Sequence, residues 1–236
     1  MEQTFVTAKI ISNRLIGDAV RHLTVQPERQ LDYEAGQFFL MRLRDDKGDY
    51  VERSYSASNF SNRESGIEFV IRIDPSGHLS PLVGRLAVGD TVDLKGPFGR
   101  FGLAMAKDLK KLVLIAGGVG ISPIRSIIQK SFSLNEAYPI QLFYGFRNDN
   151  DFLFREELQK YASSGRLELV TTVSTNNGTR AEHGKGYIHL FLENRIFKPE
   201  AGVDCFICGP PAMVKETREK LLTLGFERGQ IHLEAW

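Results

Sequence analysis

The sequence predicts an N-terminal antiparallel β-barrel followed by an α/β domain built on a parallel sheet. Three observations carry that expectation. Short stretches of strand texture, parted by turn pairs such as Lys47-Gly48 and Gly89-Asp90, fill the first part of the chain without a long helix. Beyond about residue 105, apolar runs alternate with helical ones at strand-and-helix spacing. A glycine cluster sits where the first of those strands meets its helix. We place the domains at 1–104 and 105–236, with the change of texture falling within residues 102–110.

The clearest strand is 67–74, where Ile67, Phe69, Ile71 and Ile73 alternate with Glu68, Val70, Arg72 and Asp74, the period of a strand with one buried face. Strands are also expected over 4–11, 21–25, 37–43 and 91–94. In the second half, strands at 112–116, 140–144, 167–173 and 205–208 alternate with helices at 123–132, 152–161 and 212–224.

Composition narrows the function classes. The 236 residues are 42% hydrophobic and 25% charged, which suits a soluble globular protein with a sizeable core. Thirty basic and 29 acidic residues leave a net charge of +1, so no overall field draws the chain to nucleic acid or an acidic membrane. Met1-Glu2-Gln3-Thr4 lacks a signal pattern and no apolar run approaches the ~20 residues of a membrane span, so we expect a cytoplasmic protein. The two cysteines, Cys205 and Cys208, exclude a disulfide framework and a built-in iron-sulfur cluster. A redox pair or half a zinc site would need both thiols on one side, but residues three apart on a strand point to opposite faces. No metal is expected.

Residues 112–123 read as a buried strand, a glycine turn and a proline-started helix. Glycine lets backbone approach a ligand closely, and the free N–H groups of a helix start favour phosphate. A tight turn that binds nothing would be built the same way. The usual dinucleotide fingerprint wants an acidic residue at the end of the next strand, where Tyr144-Gly145-Phe146-Arg147 stands instead. Arg147 there suits a ribose phosphate or hydroxyl, or is a solvated loop charge.

Four segments, in order, resemble the ferredoxin-NADP reductase superfamily, whose members place an FAD-binding barrel before an NAD(P)-binding α/β domain. Together they span residues 53–236. Arg53-Ser54-Tyr55-Ser56 is similar to the family's flavin motif of Arg, any residue, Tyr and Ser. The resemblance implies that Arg53 pairs with the FAD pyrophosphate, Tyr55 packs flat on the isoalloxazine and Ser56 hydrogen-bonds near the nitrogen that accepts hydride. It places Ser54 and Arg72 beside FAD as well. Gly77-His78-Leu79-Ser80 resembles the Gly-x-x-Ser that opens a short helix under the FAD phosphates, implying donors at Gly77, Leu79 and Ser80. A plain capped connection reads the same way, and Gly96-Pro97-Phe98-Gly99-Arg100-Phe101, similar to the loop ending the family's flavin domain, reads as architectural.

The glycine turn matches the family's Gly-Gly-x-Gly-Ile-Ser-Pro, which implies that Gly118, Gly120, Ser122 and Pro123 hold the NAD(P) pyrophosphate. Cys208-Gly209-Pro210-Pro211 with Met213 resembles the family's Cys-Gly-Pro-Pro, which implies a cysteine beside the nicotinamide. The ending Leu233-Glu234-Ala235-Trp236 resembles the family's aromatic terminus with a nearby carboxylate. Trp236 would cover the flavin face opposite Tyr55, and Glu234 would assist proton transfer; the alternative is a C-terminal strand with a frayed tail. Ser56, Cys208 and Glu234 are the candidate catalytic residues. Members that choose NADPH often carry Ser-Arg after the third parallel strand, whereas Ser174 precedes Thr175 here. Arg147, Arg180 and Lys185 are the basic residues in reach, and NADH and NADPH both stay open.

The resemblance thus implies an FAD-dependent oxidoreductase that transfers hydride between NAD(P)H and FAD and passes electrons to a separate acceptor, ferredoxin or flavodoxin first. A reductase component serving an oxygenase, cytochrome or iron-sulfur partner, or a free-flavin reductase, is the alternative. A non-catalytic dinucleotide-sensing subunit is the reading of a different class.

Overall fold

Strand β1 (Val6–Gly17) turns back at Asp18 and Ala19 into β2 (Val20–Pro27), and the hairpin is the spine of the first half. Around it β3 (Phe38–Arg44), β4 (Tyr50–Ser56), β5 (Ile67–Arg72) and β6 (Thr91–Phe98) complete a six-stranded antiparallel sheet ordered β4-β3-β6-β1-β2-β5. A bridge between Ala57 and Phe69 brings its two edges together and closes the barrel. Phe39, Phe69, Ile71, Leu79 and Leu94 fill the interior. This computed structural model describes residues 4–60, 66–134, 138–175 and 183–235.

β1 and β6 run longer than the sequence reading places them, and β5 ends two residues sooner. β1 continues past residue 11 because Ser12 to Leu15 pair with β2, while the Asn13 amide donates to the carbonyls of Val83 and Leu86 at 2.9 and 2.8 Å. Those bonds tie down the C-terminal end of helix α1 (Ser80–Arg85). Arg53-Ser54-Tyr55-Ser56, which taken alone reads equally as an exposed strand with a surface arginine, lies in β4, an edge strand paired along its length with β3.

The second half holds the expected alternation in β7 (Lys111–Gly117), α2 (Ile121–Ser133), β8 (Ile140–Phe146), α3 (Arg155–Ser163), β9 (Leu167–Val173), β11 (Val203–Gly209) and α4 (Pro211–Thr223), and adds a short β10 (Gly184–Lys185) and the C-terminal strand β12 (Ile231–Ala235), the alternative reading of the chain's end. All six strands run parallel in the order β10-β9-β8-β7-β11-β12. Period two sends Leu112, Leu114, Phe206 and Cys208 to one face, and Val113, Ile115, Cys205 and Ile207 to the other. The thiols of Cys205 and Cys208 are accordingly free and buried on opposite sides. Helix α3 starts at Arg155, later than expected, because Phe154 is left-handed at φ +56°. Among the described residues no helix is long and apolar enough to cross a membrane.

The chain steps outward from β7 in one direction through β8, β9 and β10, then returns to build β11 and β12 on its other side. That reversal leaves a crevice beyond the carboxyl ends of β7 and β11, where open α/β sheets take ligands. The barrel packs against it. Val20, Ala35, Val70 and Phe101 share one apolar cluster with Ile121, Ile124 and Tyr144.

A buried charge cluster crosses the same seam. Arg125 of α2, only 7% exposed, reaches Glu68 of the barrel at 2.6 Å, Glu157 of α3 at 2.8 Å and the Ser58 carbonyl at 3.0 Å. Its guanidinium also lies 4.2 Å from the Phe154 ring centre, and His22 meets Glu68 at 2.9 Å. Burial alone would raise the Glu68 carboxyl, but the His22 hydrogen bond and the Arg125 charge outweigh it and hold its pKa at about 2. Since this lies below the ordinary 4.5, the stability Glu68 confers is complete above about pH 4.5 and is lost as pH falls through about 2. Melting curves of Glu68→Gln should therefore show a flatter Tm against pH over that window than the unaltered protein.

Candidate active site

Three glycines make the crevice. A Cβ on Gly120 would overlap the Cys208 carbonyl oxygen, and one on Gly117 would collide with the Met213 sulfur, so the turn lies directly against the end of β11. A Cβ on Gly209 would stand only 3.2 Å from the Gly117 Cα, so these two backbones also meet closely. Gly118 differs: its φ is +53° and a Cβ there would meet nothing within 4 Å, so this peptide faces open space. Pro123 is buried in the first turn of α2, where it requires no amide partner.

The facing wall comes from β4. Arg53 and Ser54 are exposed, and the Arg53 guanidinium donates to the Glu52 carbonyl at 2.7 Å. Tyr55 is half-buried, and burial pushes its phenol up to about 12 against the nearby Arg53 charge. Ser56 ends the strand and donates to Glu234 Oε2 at 3.2 Å. Glu234 is opposite Cys208 in the β11–β12 register, and the same oxygen lies 4.0 Å from Cys208 Sγ. Ser122 closes the arrangement by donating to the Ser56 carbonyl at 2.8 Å. Residues expected from three distant segments thus meet at one carboxyl group.

Their protonation follows from burial. Desolvation raises the Glu234 pKa to about 7, with the Ser56 hydrogen bond opposing it. The Cys208 thiol is 1% exposed and is held well above its ordinary value, first by burial and then by the Glu234 charge. At neutral pH the site presents a hydroxyl, a protonated thiol and a carboxyl group poised between its two forms.

Other expected site residues lie away from this meeting point. Arg72 lies at the seam, donating to the Asp18 carbonyl at 3.0 Å and to Asp151 at 3.3 Å. The Gly77 amide donates to the Asp74 carbonyl, Leu79 buries its side chain in the barrel core, and Ser80 Oγ accepts from the Asp74 amide at 3.1 Å. Arg147 and Ser174 are exposed at the adjoining ends of β8 and β9, and Lys185 is exposed on β10. Pro210 stands exposed at the mouth, with Met213 half-buried behind it. Trp236 and Arg180 lie outside the described residues. Sequence reasoning missed Arg125, Tyr144 and Asp151, which organise the seam. A basic residue inside the otherwise apolar face of α2 was the available signal for the first.

These residues fit two dinucleotides. An exposed guanidinium and a glycine turn open at Gly118 suit phosphates, and Tyr55 offers a ring face. The hydroxyl, thiol and carboxyl group between them match the polar edges of redox-active rings.

Comparison with known proteins agrees with that fit. The family model for the oxidoreductase FAD-binding domain matches residues 7–102, and that for the oxidoreductase NAD-binding domain matches 114–219. The toluate 1,2-dioxygenase electron transfer component of Pseudomonas putida is 27% identical across 99% of this chain. The xylene/toluene monooxygenase electron transfer component of the same organism is 30% identical across 94%. The chain spans 68% and 63% of the lengths of those two relatives. A solved ferredoxin reductase in carbazole 1,9a-dioxygenase superposes with a TM-score of 0.83 at 26% identity, over 100% of this chain and 70% of that one.

The raised Glu234 pKa has a measurable consequence. Between about pH 4.5 and 7 the folded chain holds a proton that the unfolded chain releases, so this group lowers stability as pH rises through that window. In Glu234→Gln the slope disappears, and the Tm difference between variant and unaltered protein should grow from pH 5 to pH 8 in the variant's favour.

Proposed function

The chain belongs to the ferredoxin-NADP reductase superfamily, and from that premise we propose an FAD-dependent NAD(P)H reductase that hands electrons to a separate protein. One observation carries the reading: Ser56 of the barrel and Cys208 of the parallel sheet both reach one carboxylate oxygen of Glu234 on the last strand, at 3.2 and 4.0 Å. When bound, the nicotinamide and flavin rings supply hydride transfer and the ability to divide an electron pair.

The chain's own residues supply placement. Arg53 and Ser54 are set to hold FAD phosphate and Tyr55 to support the flavin ring, with the Gly77 to Ser80 segment and Arg72 proposed as further FAD contacts. The Gly118–Gly120 turn is set to take the nicotinamide nucleotide's pyrophosphate, with Arg147 and Ser174 toward its ribose. Ser122 joins the two halves through the Ser56 carbonyl, so the groups on either side of the crevice keep a constant separation. Ser56 can donate at Oγ while Glu234 holds or releases a proton near neutrality. Buried walls at Cys208 and Gly209 exclude water from the meeting point.

For the acceptor we propose ferredoxin or flavodoxin. A second reading, delivery to an oxygenase component, is favoured by the names of the two Pseudomonas relatives.

The purified protein should show flavin absorption that bleaches anaerobically with NADH or NADPH, the faster nucleotide marking the preference. A colourless preparation, or bleaching by neither nucleotide, would sink the reading. Steady-state assays with ferredoxin, flavodoxin and oxygenase components then separate the acceptors. Ser56→Ala should slow flavin reduction by roughly 10- to 100-fold in stopped flow while FAD content stays unchanged. Reduction at the normal rate in that variant removes Ser56 from the chemistry.

A further inference from the structure

Tyr144 lies in the middle of β8 with 0% exposure. Its hydroxyl stands 3.1 Å from the Gly118 carbonyl and 3.3 Å from the Asp151 carbonyl, two acceptors for one proton. The rings of Phe146 and Phe152 pack across it at 5.1 and 5.9 Å and hold the phenol in place. Burial keeps that phenol far above its ordinary value, against a hydrogen bond involving the Leu153 backbone, so it is a donor throughout the working pH range.

The Gly118 carbonyl is half of a peptide unit. Because that unit is planar and trans, its C=O and the N–H of Val119 point in opposite directions. A hydroxyl that holds the carbonyl from the β8 side therefore aims the Val119 amide away from itself. Within the turn the same carbonyl also accepts the Ile121 amide, so the Tyr144 hydroxyl is its second donor and the one that comes from outside the turn. Gly118 has no side chain to add a further hold, and its outer side faces open space. The second acceptor belongs to the seam: the Asp151 carboxylate accepts from the Asp18 amide at 3.2 Å and from Arg72 at 3.3 Å, both in the barrel.

We propose that Tyr144 is a positioning residue for the nicotinamide nucleotide: its hydroxyl fixes the Gly118–Val119 peptide with the amide toward the phosphates, and its contact with Asp151 ties that setting to the docked barrel. This rests on the reductase reading above, and it adds a determinant of nucleotide affinity that makes no contact with the nucleotide.

The test compares Tyr144→Phe with Tyr138→Phe in the FAD-loaded protein. Tyr138 is also buried, and its hydroxyl bonds to Ser131 at 3.1 Å beyond the amino end of β8, the opposite edge of the sheet. Tyr144→Phe should raise the KM for the preferred nucleotide roughly fivefold to tenfold, the effect of one hydrogen bond, with kcat within about twofold and FAD content unchanged. Tyr138→Phe should lower Tm without moving KM. An unchanged KM in Tyr144→Phe, or an equal rise in Tyr138→Phe, overturns the positioning role while leaving the reductase reading intact. Unaltered protein that neither nucleotide reduces overturns both.

Discussion

A single buried cation sets the relation between the two halves of this molecule. Arg125 lies in the seam, and a guanidinium there is tolerable only if several acceptors surround it. Glu68 comes from the barrel, Glu157 from a helix of the parallel-sheet half, and the Ser58 carbonyl from the segment just past β4. Few relative orientations satisfy all three. The same helix carries Ser122, which binds the Ser56 carbonyl, so the element that aligns the seam also aligns the groups proposed to react. A rotation of one half against the other would break these polar contacts together.

The contrast between Glu68 and Glu234 shows how far surroundings govern an identical side chain. Both carboxyl groups are removed from water, which by itself raises their pKa values. Glu68 has a guanidinium and an imidazole beside it and sits at about 2; Glu234 has a hydroxyl and a thiol and sits at about 7. The first is a permanent anion that serves architecture. The second changes charge near neutrality, as the proton-transfer role proposed for it requires.

Much of this was legible in the amino-acid order. Period-two alternation announced β5, and the apolar run ending in Gly117-Gly118 announced β7 and its turn, because burial on one or both faces writes itself directly into residue type. The Arg53 to Ser56 and Cys208 to Pro211 segments were legible as motifs, and the structure brings Ser56 and Cys208 to one carboxyl group. What escaped depended on partners remote in sequence. The extent of edge strand β4, from Tyr50 to Ser56, is set by β3 pairing beside it. Phe154 adopts its left-handed backbone with its ring packed beside Arg125 and His22, which nothing local foretells. Arg72 likewise meets Asp151 across 79 positions of chain.

The two cysteines sit back to back through one strand, each buried in a different apolar cluster, with Cys208 also beside the Glu234 carboxyl group. Oxidants and electrophiles attack the thiolate, and both sulfurs are kept protonated by burial. A protein suited to carrying reducing equivalents is thereby insulated from peroxide and alkylating agents at its own sulfur atoms for as long as it stays folded.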